Sequence, residues 1–406
     1  MNDDPIGGGT ALDESPEPAP RRETVDPSSK LGDIAAEAGL QRIEIVAWRD
    51  LDHPEAGGSE IHAARIAERW AAAGIDVVLV ASRAPGAPRA ASRDGYHVSR
   101  PAGRYSVFPY VGASALARRR GRPDGTIEVW NGMPFFSPVW ARHPRAVFLH
   151  HVHDGMWDLV LPAPLAAAGK LIERRLAPVL YRRTPVVTLS ESSRQGILTL
   201  LDLDPSQVTV VQPGVDERFS PGGKRDEDPL LVAVGRLVPY KRFDLLIEIL
   251  ARIKERHPNL QAVIAGEGSE RAALERLIAA HKAQDWLRLP GRIDDEALLD
   301  LYRRAWALIS TSAYEGWGLT ISEAAACGTP AVVSPIAGHM DAVENGASGF
   351  LAEPGPEMEA AVHTVLSNQM VRRRLERGAV RRSRQLTWDQ TALDTLKVLA
   401  ADAARR

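Results

Sequence analysis

Cysteine is almost missing from this chain of 406 residues, in which Cys327 stands alone. An intramolecular disulfide is excluded, and one buried, inert thiol fits a reducing cytoplasm. No run reaches the ~18 consecutive apolar residues that a membrane span needs. Positive charge is not in excess either: the net of −2 gives no reason to expect nucleic acid as a partner. The G-x-G-x-x-G fingerprint of dinucleotide enzymes is absent. What is there is ordinary soluble composition, 44% hydrophobic and 25% charged, on a chain long enough for two domains with cores of their own.

Charge is unevenly spread. Residues 1–40 hold nine acids against three bases, with five Pro and five Gly, and acids rather than bases follow Met1. The segment is expected to be a disordered acidic leader and not a signal peptide, with folding starting near Arg42. From there short apolar runs alternate with helical spacing. Strands are predicted at 43–47, 76–80, 126–130, 146–150, 185–189 and 208–211, and a helix at 61–73 from Ile61, Ala64, Ile66 and Trp70. A Pro/Gly/charge-rich stretch, 214–228, reads as a linker. The pattern then restarts with strands at 230–234, 260–265 and 287 and helices opening at Lys241, Glu270 and Asp295. Such alternation implies α/β architecture: two doubly wound domains, 41–213 and 229–385, each a parallel sheet with helices on both faces and a cleft between them. Thr387-Trp388-Asp389-Gln390 opens a last amphipathic helix, 386–406, by a capping box.

The most informative stretch is 311–330, T-S-A-Y-E-G-W-G-L-T-I-S-E-A-A-A-C-G-T-P. An apolar strand at 307–309 places Glu315 at a carboxyl end, and a helix opening at 320–326 carries Glu323. That edge of an open α/β sheet is where ligands bind, and an arriving helix N-terminus offers free N–H groups to an anion. Gly316 and Gly318 permit a close backbone approach. Two acids flanking an anion cradle suit a ligand bearing both phosphates and hydroxyls. Acids placed only for a helix dipole would leave Glu323, inside the helix, and both glycines without a reason.

Other loops carry related chemistry. Gly57-Gly58-Ser59-Glu60 lies between the first strand and the first helix, where backbone amides can approach a pyrophosphate; a plain tight turn reads equally well. After the first strand of the second domain, Arg236 offers a fork and Lys241 a point charge for phosphate oxygens. His150-His151-Val152-His153-Asp154 invites a zinc reading, but strand alternation is expected to turn His151 away from its neighbours, and no second cluster completes a tetrahedral set. A histidine hydrogen-bonding at the cleft edge is the better expectation. The triplets Asp50-Leu51-Asp52 and Asp202-Leu203-Asp204 could hold a metal on a sugar nucleotide, yet their neighbours His53-Pro54 and Pro205 explain them as surface loops.

Assembled, these residues resemble the retaining glycosyltransferases of family 4, of GT-B architecture, from Arg42 to about Ala400. The E-x7-E pair Glu315 and Glu323 is the most specific element. Gly235-Arg236 with Lys241, Pro213-Gly214-Val215-Asp216, Gly266-Glu267-Gly268 and Trp388 follow in family order. The resemblance implies two Rossmann-like domains, the second binding a UDP-, GDP- or ADP-linked sugar, and a last helix that crosses back to the first. It implies Arg236 and Lys241 at the donor diphosphate, Glu323 at the ribose, Glu315 at sugar hydroxyls, amides around Gly318, Leu319 and Thr320 at phosphate and sugar, and Gly235 beside them. Gly291-Arg292-Ile293 would lie against the base, Gly57 and Gly58 at the diphosphate, and His153 near the reacting sugar, with His151 the alternative at a register two residues away. His153, Glu315, Arg236 and Lys241 form the candidate catalytic set; neither cofactor nor metal is expected. A GT-B sugar-nucleotide epimerase and a non-catalytic nucleotide-sugar binder share this frame; the first would need catalytic carboxylates in the first domain, the second would drop Glu315 or His153. The acceptor is not legible. Arg118, Arg119, Arg120 and Arg122, closing a short helix from Ala113, and the basic run from Lys170 through Arg183 suit peripheral contact with an anionic bilayer at its inner face, and equally suit solvated helix ends.

Overall fold

The computed structural model describes residues 27–406 apart from 118 and 120. Its first sheet has eight strands: β1 (Arg42–Val46), β2 (Asp76–Ser82), β3 (Ala90–Arg93), β4 (Tyr96–Ala102), β5 (Gly125–Val129), β6 (Arg145–Phe148), β7 (Val186–Thr188) and β8 (Val208–Val210). They lie in the order β3-β4-β2-β1-β5-β6-β7-β8, all parallel except β3. The second sheet has β9 (Leu230–Val234), β10 (Gln261–Ala265), β11 (Leu287–Gly291), β12 (Ala307–Ser310), β13 (Ala331–Val333) and β14 (Gly349–Leu351), all parallel, in the order β11-β10-β9-β12-β13-β14. Helices cover both faces, so central strands are buried on both sides instead of alternating between core and solvent. All five residues of β5 are buried, and Leu231 and Ala233 of β9 pack under Leu246, Ile247 and Leu250 of the helix Phe243–Arg256.

Four sequence expectations need correction. Residues 27–40 are not leader: Pro27–Glu37 is a helix whose Leu31 and Ala35 join Leu40 in the first-domain core, because an apolar i, i+4 spacing gives it a face to bury and the acidic excess lies in residues 1–26. The rest of the expected leader lies outside the described residues. The first sheet is not wholly parallel, since Asp94 and Gly95, both at positive φ, close a β3–β4 hairpin at its edge. The strand expected over 146–150 stops at Phe148. Finally, the helix Val107–Leu116 ends before the arginines it was expected to carry; Arg119 and Arg122 are exposed beyond it, and Arg118 and Arg120 lie outside the described residues.

The last helix, Trp388–Ala404, belongs to the first domain's core. Ala392, Leu396 and Leu399 are fully buried there with Leu40, Ile43 and Ile127, each leucine contributing about 2 kcal/mol of burial. Trp70 Nε1 donates to the Ala392 carbonyl at 3.0 Å, and the Arg145 amide to Asp402 at 3.0 Å. The chain crosses between domains twice, side by side: Val215 bridges Thr387, and its amide donates to the Leu386 carbonyl at 3.1 Å.

Candidate functional site

In each sheet the strand order reverses at one point, between β1 and β5 in the first and between β9 and β12 in the second. At such a point the loops leaving the two strands diverge and open a crevice. The second sheet's crevice is edged by Gly235–Lys241 and by the loop from Thr311 to Gly318; the first sheet's by the loops ending at Gly57 and running through Asn131–Met133. These edges meet. A Cβ on Gly57 would stand 3.4 Å from Arg236 Nε, one on Gly58 3.5 Å from Leu319, and one on Gly316 2.9 Å from the His150 carbonyl. At Gly316 that is closer than any side chain tolerates, so glycine there lets the two domains touch.

On the second-domain wall, Lys241 Nζ donates to Glu315, which also accepts from Ser312 Oγ at 3.0 Å. Burial alone would raise the Glu315 carboxyl, but the Lys241 charge, His339 and the hydrogen bonds from Lys241 and Ser312 hold it below the usual carboxylate range. Arg236 donates to Tyr240 Oη at 2.6 Å. Gly266, with φ of +153°, sits against the Gly235 backbone with no room for a side chain, which keeps the Gly235–Lys241 turn flat on its neighbour. Gly318, with φ of +97°, starts the helix Leu319–Ala326. One turn into that helix, Glu323 accepts from Tyr302 Oη at 3.0 Å, and burial pushes its carboxyl up to about 7. Gly291 also has positive φ and ends β11 on the same edge; Arg292 after it is exposed and Ile293 half-buried.

The first-domain wall is made differently. His150 and the buried His62 share a hydrogen bond of 3.2 Å, and burial pushes both imidazoles down, His62 to about 3. His151 and His153 stack face to face with centroids 4.8 Å apart. The expected opposite orientation fails because residues 150–154 form a loop beyond β6, where strand alternation no longer applies. Burial lowers His151 to about 4, against the pull of Glu315 and with Arg236 and Lys241 adding to the drop; His153 is driven well below its ordinary value by burial, His151 and Arg236. Both are therefore neutral at pH 7, and both face second-domain charges. Neither nitrogen of His151 has a hydrogen-bond partner among the described residues, nor has Nδ1 of His153.

Two buried acids that sequence reasoning missed hold this wall. Glu173 accepts from the His153 amide at 2.9 Å, the Asp154 amide at 3.1 Å and Trp157 Nε1 at 2.9 Å. It lies on a π-helical turn, Ile172–Leu176, in a run of basic residues that reads in sequence as plain surface. Glu128 of β5 accepts from the Phe135 and Ser137 amides at 2.6 and 3.0 Å and from Tyr181, shaping the loop after Asn131. Asp341 reaches from the second domain to the Glu191 and Ser192 amides, at 3.0 and 3.2 Å, capping a first-domain helix across the boundary. No local pattern marked these three, because each partner is distant in sequence.

The aspartate triplets stand elsewhere. Asp50 is buried against Arg100, which also holds Asp52; Asp202 ends the helix Glu191–Leu201 in the left-handed region, and Asp204 caps the next turn through the Ser206 amide at 2.8 Å. Among the described residues no three His, Cys, Asp or Glu side chains gather as a metal would require.

Residues 56–219 match the model of glycosyltransferase family 4, and residues 215–382 that of the glycosyl transferases group 1. Sucrose-phosphate synthase from Thermosynechococcus elongatus superposes with a TM-score of 0.76 at 20% identity, over 90% of this chain and 100% of that one. The chain has the GT-B fold of glycosyltransferases. Anabaena HepE in complex with UDP-glucose shares it, with a TM-score of 0.68 at 19% identity, over 88% of this chain and 98% of that one. Curated relatives include a D-inositol 3-phosphate glycosyltransferase of Frankia alni, 35% identical over 54% of this chain and 59% of the relative. A glycogen synthase of Mycobacterium tuberculosis is 34% identical over 54% and 55%. The chain thus spans little more than half the length of these curated relatives.

Proposed function

We propose that this GT-B protein transfers a sugar, with retention, from a nucleoside-diphosphate sugar to a hydroxyl acceptor, without a divalent metal. The observation that carries the reading is the cluster of Arg236, Lys241 and Glu315 at the second sheet's switch point, opposite the neutral His151 and His153. Relatives named for sugar transfer, and a neighbour solved with UDP-glucose, support it.

Breaking the anomeric bond builds positive charge on the sugar and negative charge on the departing diphosphate. Arg236 and Lys241 are fixed where that negative charge appears, together with the first amides of the helix at Leu319 and Thr320, and so stabilise the transition state more than the ground state. Lys241 shared between Glu315 and phosphate leaves the second Glu315 oxygen for a sugar hydroxyl. Glu323, with its carboxyl near neutrality, can accept from or donate to a ribose hydroxyl; Gly291, Arg292 and Ile293 border the base. Gly57 and Gly58 admit the diphosphate from the opposite wall. His153, with its backbone held by Glu173, faces the reacting sugar, and the stacked His151 shares that face. Retention follows from front-face attack within an ion pair, the leaving phosphate taking the acceptor's proton. Metal independence rests on the two cations and on Asp50, Asp52, Asp202 and Asp204 being used by the fold.

Donor hydrolysis in EDTA, without acceptor, tests the reading. Slow release of the sugar with its original anomeric configuration from one of the UDP-, GDP- or ADP-linked donors is expected. Binding of a donor with no turnover under any condition would leave a binding protein, and an epimerised product would favour the epimerase.

A further inference from the structure

One first-domain surface is built the wrong way out. The helix Ala163–Leu171 runs through the π-turn Ile172–Leu176 into Ala177–Tyr181 without leaving helical backbone. Its inward face is small or polar: Ala166, Gly169, Glu173, Ala177 and Tyr181. Its outward face carries Leu165, Leu171, Leu176, Val179 and Leu180, all between 43% and 57% exposed. Val139 and Leu159, on short helices packed against this run, are equally bare, so seven of the twelve exposed large hydrophobics among the described residues share one region. Scattered apolar side chains are normal on a surface, whereas a concentration marks an interface.

Charge decides what the interface meets. The segment carries Lys170, Arg174, Arg175, Arg182 and Arg183, and its single carboxylate, Glu173, is turned inward. Arg174 and Lys170 pair with Asp154 and Asp158, while Arg175, Arg182 and Arg183 are exposed and make no ion pair among the described residues. In a two-fold dimer the same patch meets itself, which would bring two surfaces with uncompensated arginines together. An anionic bilayer accepts both features at once, leucines into the headgroup boundary and arginines onto phosphates.

We propose that the 163–183 face docks on an anionic lipid surface, and that the acceptor is a lipid-borne hydroxyl presented there. The proposal rests on the transferase reading. The inward face of the same helix holds the His153 loop through Glu173, so the docked helix would stand between the membrane and the first-domain wall of the cleft.

Vesicle flotation with the full chain tests it, comparing phosphatidylcholine alone with phosphatidylcholine containing 30% phosphatidylglycerol, about a third of the surface being anionic. Wild type should float with the anionic vesicles at least about tenfold better, and less so as salt is raised. Leu171→Gln/Leu176→Gln/Val179→Gln should lose about tenfold or more of that binding, and Arg175→Gln/Arg182→Gln/Arg183→Gln about fivefold per cation. Donor hydrolysis, measured on the same samples, should be unchanged in both variants. Equal binding to the two vesicle types, or variants that float like wild type, would overturn the proposal. So would a wild-type dimer in sedimentation that the apolar triple variant dissolves, which would assign the face to a second copy. Loss of hydrolysis in wild type itself would instead count against the transferase reading.

Discussion

The two walls of the cleft achieve placement by opposite means. The second-domain wall is ionic: Lys241 and Glu315 pair, Arg236 stands beside them, and the partners lie on neighbouring loops of one switch point. The first-domain wall is neutral: histidines with imidazoles pushed down by burial, set in place by backbone amides that donate to buried carboxylates. Charges held ready at one wall suit the binding of a charged group. Uncharged rings in a desolvated wall suit the handling of hydroxyls beside a cationic transition state, which a second positive charge would oppose. On the proposed function, the difference would give donor affinity to one wall and turnover to the other.

That division can be broken by substitution. Lys241→Ala removes a cation proposed to hold the donor phosphates and leaves Glu315 with Ser312 alone, so donor affinity should fall about 100-fold with the fold intact, charge-assisted bonds contributing ~1.5–3 kcal/mol. Isothermal titration with whichever of the UDP-, GDP- and ADP-linked donors the wild type hydrolyses checks it, and unchanged affinity would remove Lys241 from the site. Glu173→Gln, within the first-domain wall, places an N–H donor against three donors, the His153 and Asp154 amides and Trp157 Nε1. Turnover should drop about tenfold with donor affinity held within about twofold, since the displaced groups belong to the His153 loop. A fall in affinity instead would mean the walls are not separable.

A third test uses pH. Seven histidines, among them His62, His150, His151 and His153, are displaced downward, and three glutamates, Glu128, Glu173 and Glu323, upward, in each case mainly by burial. A lowered histidine stays neutral in the folded chain while the unfolded one takes a proton below about 6.5, so its contribution is present above that pH and lost as pH falls toward the folded value, about 4 for His151. Raised glutamates act the other way, Glu323 losing stability as pH climbs through about 7. The histidines outnumber them, so urea midpoints should fall between pH 6.5 and pH 5, at up to about 1.4 kcal/mol per unit for each histidine in excess. A flat profile would contradict the burial of the first wall. The smallest expected effect is that of excess EDTA, which should leave donor hydrolysis unchanged; an absolute need for manganese or magnesium would return attention to Asp50, Asp52, Asp202 and Asp204.

The same contrast explains what sequence could show. The second wall was legible because its residues cluster: Glu315 and Glu323 lie eight positions apart on one strand–helix unit, and Arg236 and Lys241 fall in one short turn. The strand alternation that yields two doubly wound sheets was legible where a strand is a short apolar run, as in β2 and β9, whereas β3, Ala-Ala-Ser-Arg, and β4, with Arg100 and Pro101 inside it, carry no such run and were not expected. The first wall depends on long-range partners. Glu173 is twenty residues from His153 in a basic helix, Glu128 reaches Tyr181 across 53 positions, and Asp341 caps a helix 150 positions away. The helix Pro27–Glu37 escaped notice because it directly follows the acidic residues 1–26 and was read with them, while its burial comes from packing with the last helix.

The most direct test measures donor dissociation constants and donor hydrolysis rates side by side for Arg236→Ala and His153→Ala, with His151→Ala as the register control. Arg236→Ala should raise the dissociation constant by about tenfold or more, from a lost charge-assisted bond of ~1.5–3 kcal/mol. His153→Ala should keep the dissociation constant within about twofold and lose about 100-fold in rate, more than His151→Ala. Equal losses of affinity from both walls, or a full hydrolysis rate in His153→Ala, would contradict it.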